Sequence, residues 1–169
     1  MAAFYDLSVG TYLQIVGASS AVLKKGAEYL TEQNLEDAVN LRLTEDMANF
    51  HFQAVCIVHH SLGAIKGIQE GVFKPPAGYP DTDYAGLQNL IDSALAELGA
   101  LDEEAINALA TKQMVFSIGD NQIPFTAENF VLSFSLPNLY FHATTAYDIL
   151  RIQGVPLGKM DFLGQLKIG

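Results

Sequence analysis

The spacing of hydrophobic and polar positions along the chain predicts four long helices. These are expected at residues 7–30, 44–70, 84–98 and 127–153. Gly71, Gly99 and Gly154 follow the last three of them, and glycine just beyond the final turn is typical of a helix C-terminus. Thr126 offers a hydroxyl cap for the start of the fourth helix. Pro137 lies well inside that helix and predicts a kink there.

Shorter features separate the helices. A polar break at residues 31–34 and an irregular link at 35–42 follow the first helix, and Asp102 can cap a short helix over 103–109. Residues 112–126 carry two β-type runs around Gly119-Asp120-Asn121, which predicts a two-stranded hairpin.

These elements predict an all-α fold, a four-helix bundle with a small β-hairpin between the third and fourth helices. The proline-rich link of about 12 residues at 72–83 spans up to ~40 Å when extended. The second helix is ~37 Å long. The link can therefore return along the bundle and let the third helix run parallel to the second. With 169 residues, the whole chain 1–169 is expected to form a single domain.

Composition and charge limit the kinds of partner that the protein is expected to bind. The chain is 50% hydrophobic and 17% charged, with a formal net charge of −10, so its surface should repel phosphate backbones and anionic lipid. Nucleic acid and membranes are therefore not expected partners. A lone cysteine, Cys56, and an N-terminus without a basic segment before an apolar one indicate a cytoplasmic protein.

Three long segments carry no charged residue, and they are residues 7–23, 47–65 and 129–147. Polar side chains within each of them argue against membrane spans and favour buried helices. A helix of a monomeric bundle would expose one charged face to water. The missing charges therefore predict that a second helix face is buried in a homodimer.

Three segments carry a resemblance to a known family. They are DMANFHFQAVCIVHH at 46–60, PFTAEN at 124–129 and LPNLYFHATTAYDILRIQGVPLGKMDFLG at 136–164. They resemble an uncharacterised domain-of-unknown-function family within the DinB/YfiT-like superfamily. The resemblance extends over the whole chain and implies a four-helix bundle with an up-down-down-up path, commonly a homodimer.

The resemblance also implies a metal site. Many DinB-like proteins hold a divalent cation through one histidine in the second helix and two histidines four residues apart in the fourth. His60 and His142 match two of these positions, and Asn138 stands at the third. Asn138 would be a weak oxygen ligand or a hydrogen-bond donor to a ligand. Cys56, one helical turn before His60, is a possible replacement donor.

The ion is expected to be zinc or nickel. Catalytic zinc takes three protein ligands, whereas an octahedral ion can complete its shell with water. A core network in which His60, Asn138, His142 and Thr145 bond to one another is the alternative to a metal site. His51 and His59 lie on other faces of the second helix than His60, which favours a surface or interface role for them.

Three functions remain open at this point. The first is a metal-dependent transferase or hydrolase, which the resemblance to DinB-like enzymes implies. The second is a bundle that binds a small apolar ligand, with Asn138, His142 and Thr145 as polar contacts. The third is a non-catalytic dimeric interaction module.

Overall fold

The computed structural model describes residues 2–33 and 38–168. This part of the chain is mostly helical with one small sheet. Its helices are α1 (Phe4–Leu7), α2 (Val9–Glu32), α3 (Phe50–His59), α4 (Leu62–Glu70), α5 (Tyr84–Gly99), α6 (Glu103–Asn107), α7 (Ala127–Phe130), α8 (Leu136–Ile152) and α9 (Lys159–Leu163). A 3-10 turn covers Ala38–Asn40. Part of the predicted break at 31–34 and of the predicted link at 35–42 lies outside the described residues.

The predicted hairpin is confirmed, and a third strand joins it. Strands β2 (Gln113–Ile118) and β3 (Asn121–Thr126) pair in antiparallel fashion across a turn that contains Gly119, whose φ of 54° suits glycine. Strand β1 (Val72–Phe73) pairs in parallel with β2. This strand has two residues, too few for a periodic pattern, so it was not predicted.

Side-chain caps define the starts of four helices. In each case the capping side chain accepts a hydrogen bond from the backbone N–H three residues later, and the caps are Asn49 (α3), Asp83 (α5), Asp102 (α6) and Thr126 (α7). The caps at Asp102 and Thr126 were predicted and are confirmed. The predicted start near residue 44 was too early, because the helix begins at Phe50 after the Asn49 cap and the backbone N–H of Met47 donates to the Thr44 carbonyl in a turn.

Two predicted continuous helices are interrupted in the structure. The second predicted helix breaks at His60 and Ser61, which separate α3 from α4, and then ends at Gly71 as expected. The fourth contains a π-helical turn over Val131–Ser135 between α7 and α8. Pro137 lies in the first turn of α8, two residues after this π-helical turn, so the irregularity adjoins the proline at which a kink was predicted.

A chain of three buried groups joins the two interruptions. Ser135 Oγ donates to the carbonyl oxygen of His60 at 2.6 Å, and it lies 2.7 Å from the Tyr12 hydroxyl. A serine hydroxyl has one proton, so Tyr12 must donate to Ser135. These bonds connect α2, the π-helical turn and the end of α3.

Four long helices pack around a shared core, each in contact with two of the others. Helix α2 contacts α5 and α8, and α3 contacts the same two helices. Fully buried side chains from all of them fill the interior, among them Tyr12, Leu23, Phe50, Ile57, Leu87, Ile91 and Leu139. Within the described ranges, no helix combines the length and apolarity needed to cross a membrane.

The buried hydroxyl chain yields a stability prediction. Ser135→Ala leaves the Tyr12 hydroxyl and the His60 carbonyl without this partner, so we expect the free energy of unfolding to fall by about 2–3 kcal/mol. Ser133→Ala is the matched control, because Ser133 lies in the same turn but is exposed and bonds its own helix at the Asn129 carbonyl. Urea unfolding at pH 7 measures both variants. Equal losses in the two would contradict the role of the buried chain.

Candidate metal centre

Helices α3 and α8 bring three potential donor side chains together. Cys56 and His60 are four residues apart on α3 and its C-terminal cap, so they lie on one face. Helix α8 packs against α3 and places His142 opposite them. One donor atom from each of the three residues lies within 4.8 Å of the other two. The described structure therefore contains a group with the composition of a metal site.

The two predicted histidines face each other directly. The rings of His60 and His142 stack with their centroids 5.5 Å apart and their planes 12° from parallel. Both are buried, with 6% and 9% of their surface exposed. The residues are separated by more than eighty positions in the sequence, so this proximity depends on how α3 packs against α8.

His60 carries a buried nitrogen atom without a hydrogen-bond partner. No donor or acceptor among the described residues reaches Nδ1 of this ring. A buried polar atom without a partner costs free energy, and such atoms are uncommon in folded proteins. The His60 backbone is fully engaged by contrast, since its N–H donates to the Cys56 carbonyl and its carbonyl accepts from Ser135. The unpartnered nitrogen points to a ligand for this side chain.

His142 has a hydrogen-bond partner that was not predicted. Its Nδ1 lies 2.7 Å from Oε1 of Gln53, a residue that is 1% exposed. The Gln53 amide nitrogen donates to the Ala48 carbonyl at 3.0 Å. Gln53, Cys56 and His60 stand at positions i, i+3 and i+7 of one helix face. That spacing was the available signal for Gln53.

Burial sets the protonation of all three donor side chains. It lowers the pKa of His60 to about 3, with the nearby His59 and His142 contributing, and it lowers the pKa of His142 to about 4, with His59 contributing. Burial also raises the pKa of the Cys56 thiol to about 12. At neutral pH both imidazoles are uncharged and hold a lone pair, and the thiol must lose its proton before it can bind a cation.

The predicted polar network is replaced by other hydrogen bonds. Asn138 is half-buried one turn before His142, and its amide nitrogen donates to the Phe134 carbonyl at 2.7 Å. Thr145 donates to the Phe141 carbonyl at 2.8 Å. Both side chains therefore bond to backbone carbonyls four residues earlier in the chain.

The remaining histidines point to other partners. His59 Nε2 lies 2.8 Å from the Lys74 carbonyl and its ring meets the edge of His60 at 5.3 Å. His51 Nε2 lies 3.2 Å from the Pro80 carbonyl. Each is thus held against the proline-rich segment, on other faces of α3 than the one that carries Cys56 and His60.

Aromatic side chains surround the two central histidines. Phe73 and Phe134 lie against His60 at 5.6 and 5.8 Å between ring centroids. Phe52 and Phe141 meet His142 at 6.0 and 5.2 Å with their planes nearly perpendicular to its ring. These rings make the surroundings apolar, which strengthens any electrostatic interaction with the donor atoms.

The lowered histidine pKa values predict an acid-sensitive fold. In an unfolded chain His60 and His142 take up protons near pH 6.5, whereas in the folded chain their pKa values are about 3 and about 4. The unfolded state then binds more protons, so the free energy of unfolding of metal-free protein should fall by more than about 2 kcal/mol between pH 7 and pH 4.5. We expect a shallower fall for His60→Gln than for wild type, measured by urea unfolding with EDTA. A wild-type slope in His60→Gln would contradict the prediction.

Comparison with known proteins places the chain in a family. A solved structure of a DinB family member protein from Shewanella denitrificans is similar to it, with 28% sequence identity and a TM-score of 0.80 over 98% of this chain and 94% of that one. No curated protein matches the chain in sequence. The model of the family described as domain of unknown function (DUF1993) matches residues 4–163. The chain therefore belongs to the DUF1993 family, as a DinB-like protein.

Proposed function

We propose that this protein binds one divalent cation through Cys56, His60 and His142. The observation that carries the proposal is the convergence of the three donor atoms within 4.8 Å, beside a His60 nitrogen that is buried and has no other described partner. A ligand for that nitrogen would remove the cost of leaving it unpaired. The donor set also replaces Asn138 by Cys56 as the third ligand, since the NH₂ group of Asn138 is tied to the Phe134 carbonyl in the π-helical turn.

The chemistry of the donors favours zinc. A thiolate and two imidazoles suit zinc, with nickel as the alternative, and disfavour magnesium or calcium, which take oxygen ligands. Donor atoms around a tetrahedral zinc lie about 3.3–3.8 Å from one another. The spacing here is up to 4.8 Å, so binding would draw the three side chains closer together. Three protein ligands leave one position for water or substrate, as in catalytic sites.

We further propose a metal-dependent transferase or hydrolase. When bound, the ion would lower the pKa of a water or thiol and polarise a substrate. The protein supplies the rest: α3 and α8 fix the donors, and Phe52, Phe73, Phe134 and Phe141 keep their surroundings apolar.

Elemental analysis tests the metal proposal. Untagged protein purified without a metal column or chelator should contain about one zinc or nickel ion per chain. We expect the His60→Ala/His142→Ala double variant to lose it and Cys56→Ala to retain less than wild type under dialysis. His51→Ala is the matched control and should keep its metal.

Equal metal content in wild type and the double variant would contradict the proposal. A metal-free wild type, even after dialysis against divalent ions, would do so too. The function would then be the alternative, a non-catalytic bundle that binds a small apolar ligand or acts as an interaction module.

The order in which the long helices contact one another supports the up-down-down-up bundle that the family resemblance implies. Four helices contact one another in the cyclic order α2, α5, α3, α8. In this order α5 lies beside α3, which the long link over residues 72–83 permits for parallel neighbours. We propose this path for the chain.

We also propose that the protein forms a homodimer through an outer aromatic patch. The patch consists of Phe52 and Phe141, which are 39% and 54% exposed and both meet the His142 ring. It lies on α3 and α8, two of the helices whose lack of charge predicts a second buried face. Aromatic residues are enriched in interface cores.

Light scattering tests the dimer. Wild type at micromolar concentration should give twice the chain mass of 18.3 kDa. Phe141→Glu should give the monomer mass, because it places two like charges in an apolar interface. Ile152→Glu is the control, since Ile152 is 64% exposed at the far end of α8. A monomeric wild type would refute the proposal.

A further inference from the structure

We propose that Gln53 is a positioning residue that fixes the tautomer of His142, so that Nε2 of this ring is the nitrogen presented to the metal. The inference rests on the proposed metal function and goes beyond it. It assigns which ring atom binds and names the side chain responsible. Gln53 itself does not touch the ion.

The orientation of the Gln53 amide follows from its second partner. One end of the amide lies 3.0 Å from the Ala48 carbonyl oxygen. A carbonyl oxygen only accepts hydrogen bonds, so this end must be the NH₂ group. The other end, which faces His142, is therefore the oxygen Oε1.

The tautomer of His142 follows in turn. The Gln53 oxygen also only accepts, and it lies 2.7 Å from Nδ1 of His142. Nδ1 must then carry the proton and donate it. A neutral imidazole has one protonated and one unprotonated nitrogen, so Nε2 holds the lone pair. The reverse tautomer would set two lone pairs against each other in a buried pair.

The surroundings hold this arrangement in place. Gln53 is 1% exposed, so water does not replace the hydrogen bond readily. Phe52 and Phe141 meet the His142 ring with their planes at 73° and 87° to it and limit its rotation. Ala48 lies just before the Asn49 cap of α3, which ties the Gln53 side chain to the start of the helix.

One helix therefore carries two proposed ligands and the group that orients the third. Gln53, Cys56 and His60 share a face of α3 through their spacing of three and four residues. Residues that donate to or accept from a metal-binding histidine set its tautomer and orientation, and their loss weakens metal affinity by about 10–100-fold.

Nitrogen-15 NMR of the histidine rings tests the tautomer in metal-free protein. We expect His142 of the wild type to be protonated on Nδ1. Gln53→Met removes the acceptor at similar size and should give a mixture of tautomers. Gln53→Glu keeps an oxygen at the same reach and, with its buried carboxyl protonated so that it still donates to the Ala48 carbonyl, should restore protonation at Nδ1.

Zinc titration against a chelating indicator gives the second readout. We expect Gln53→Met to bind zinc 10–100-fold more weakly than wild type, and Gln53→Glu to recover most of the loss. Gln14→Met is the matched control, because Gln14 also donates its amide to a backbone carbonyl, that of Leu163, but touches none of the donor residues. Its affinity should equal that of wild type.

The two readouts separate failure of this inference from failure of the metal proposal. A wild-type His142 protonated on Nε2 would overturn the inference, whether or not zinc binds. So would wild-type zinc affinity in Gln53→Met. A wild type protonated on Nδ1 that binds no zinc would overturn the metal proposal and leave the hydrogen bond itself established. Because the wild-type spectrum needs no variant, poor folding of Gln53→Met would not remove the test.

Discussion

The His60 carbonyl, which has no partner within the helix at the end of α3, is the constraint on which the centre depends. A helix end leaves carbonyl groups without partners inside the helix, and a break within the core must satisfy them in another way. Ser135 does this for His60, and the Tyr12 hydroxyl completes the chain. The bond draws the end of α3 to the π-helical turn that precedes α8. It thereby fixes the backbone of His60 against the helix that carries His142.

The two helix irregularities have a common consequence. A π-helical turn adds a residue to the helix and shifts the faces that follow it, and such turns occur frequently at functional sites. Here the turn places Ser135 towards the interior while α8 still presents His142 to α3. The interruption at His60 and Ser61 likewise ends α3 directly at a proposed ligand. The irregular backbone thus lies where the potential donors meet.

The candidate centre lowers the stability of the metal-free protein. Its imidazoles are buried and uncharged, and one of their nitrogens has no described partner. A well-packed apolar core would avoid both penalties, and natural proteins tend to keep such unsatisfied groups at functional sites. Gln53 offsets part of the penalty by bonding His142. A cation that binds only the folded chain would offset more of it and would stabilise the protein in proportion to its concentration.

Local patterns in the sequence determined the elements of this fold, and packing determined the candidate centre. Periodicity, caps and glycines act over a few residues, so the four helical regions, the caps at Asp102 and Thr126, the stop at Gly71 and the hairpin could be predicted. The family resemblance also singled out His60 and His142. The break after α3, the π-helical turn and strand β1 could not be predicted, because each is stabilised by partners distant in sequence. The approach of Gln53 to His142 depends in the same way on the rotation of α3 against α8. No local hydrogen bond or hydrophobic period specifies that rotation, and it is decided only when the helices pack around a shared core.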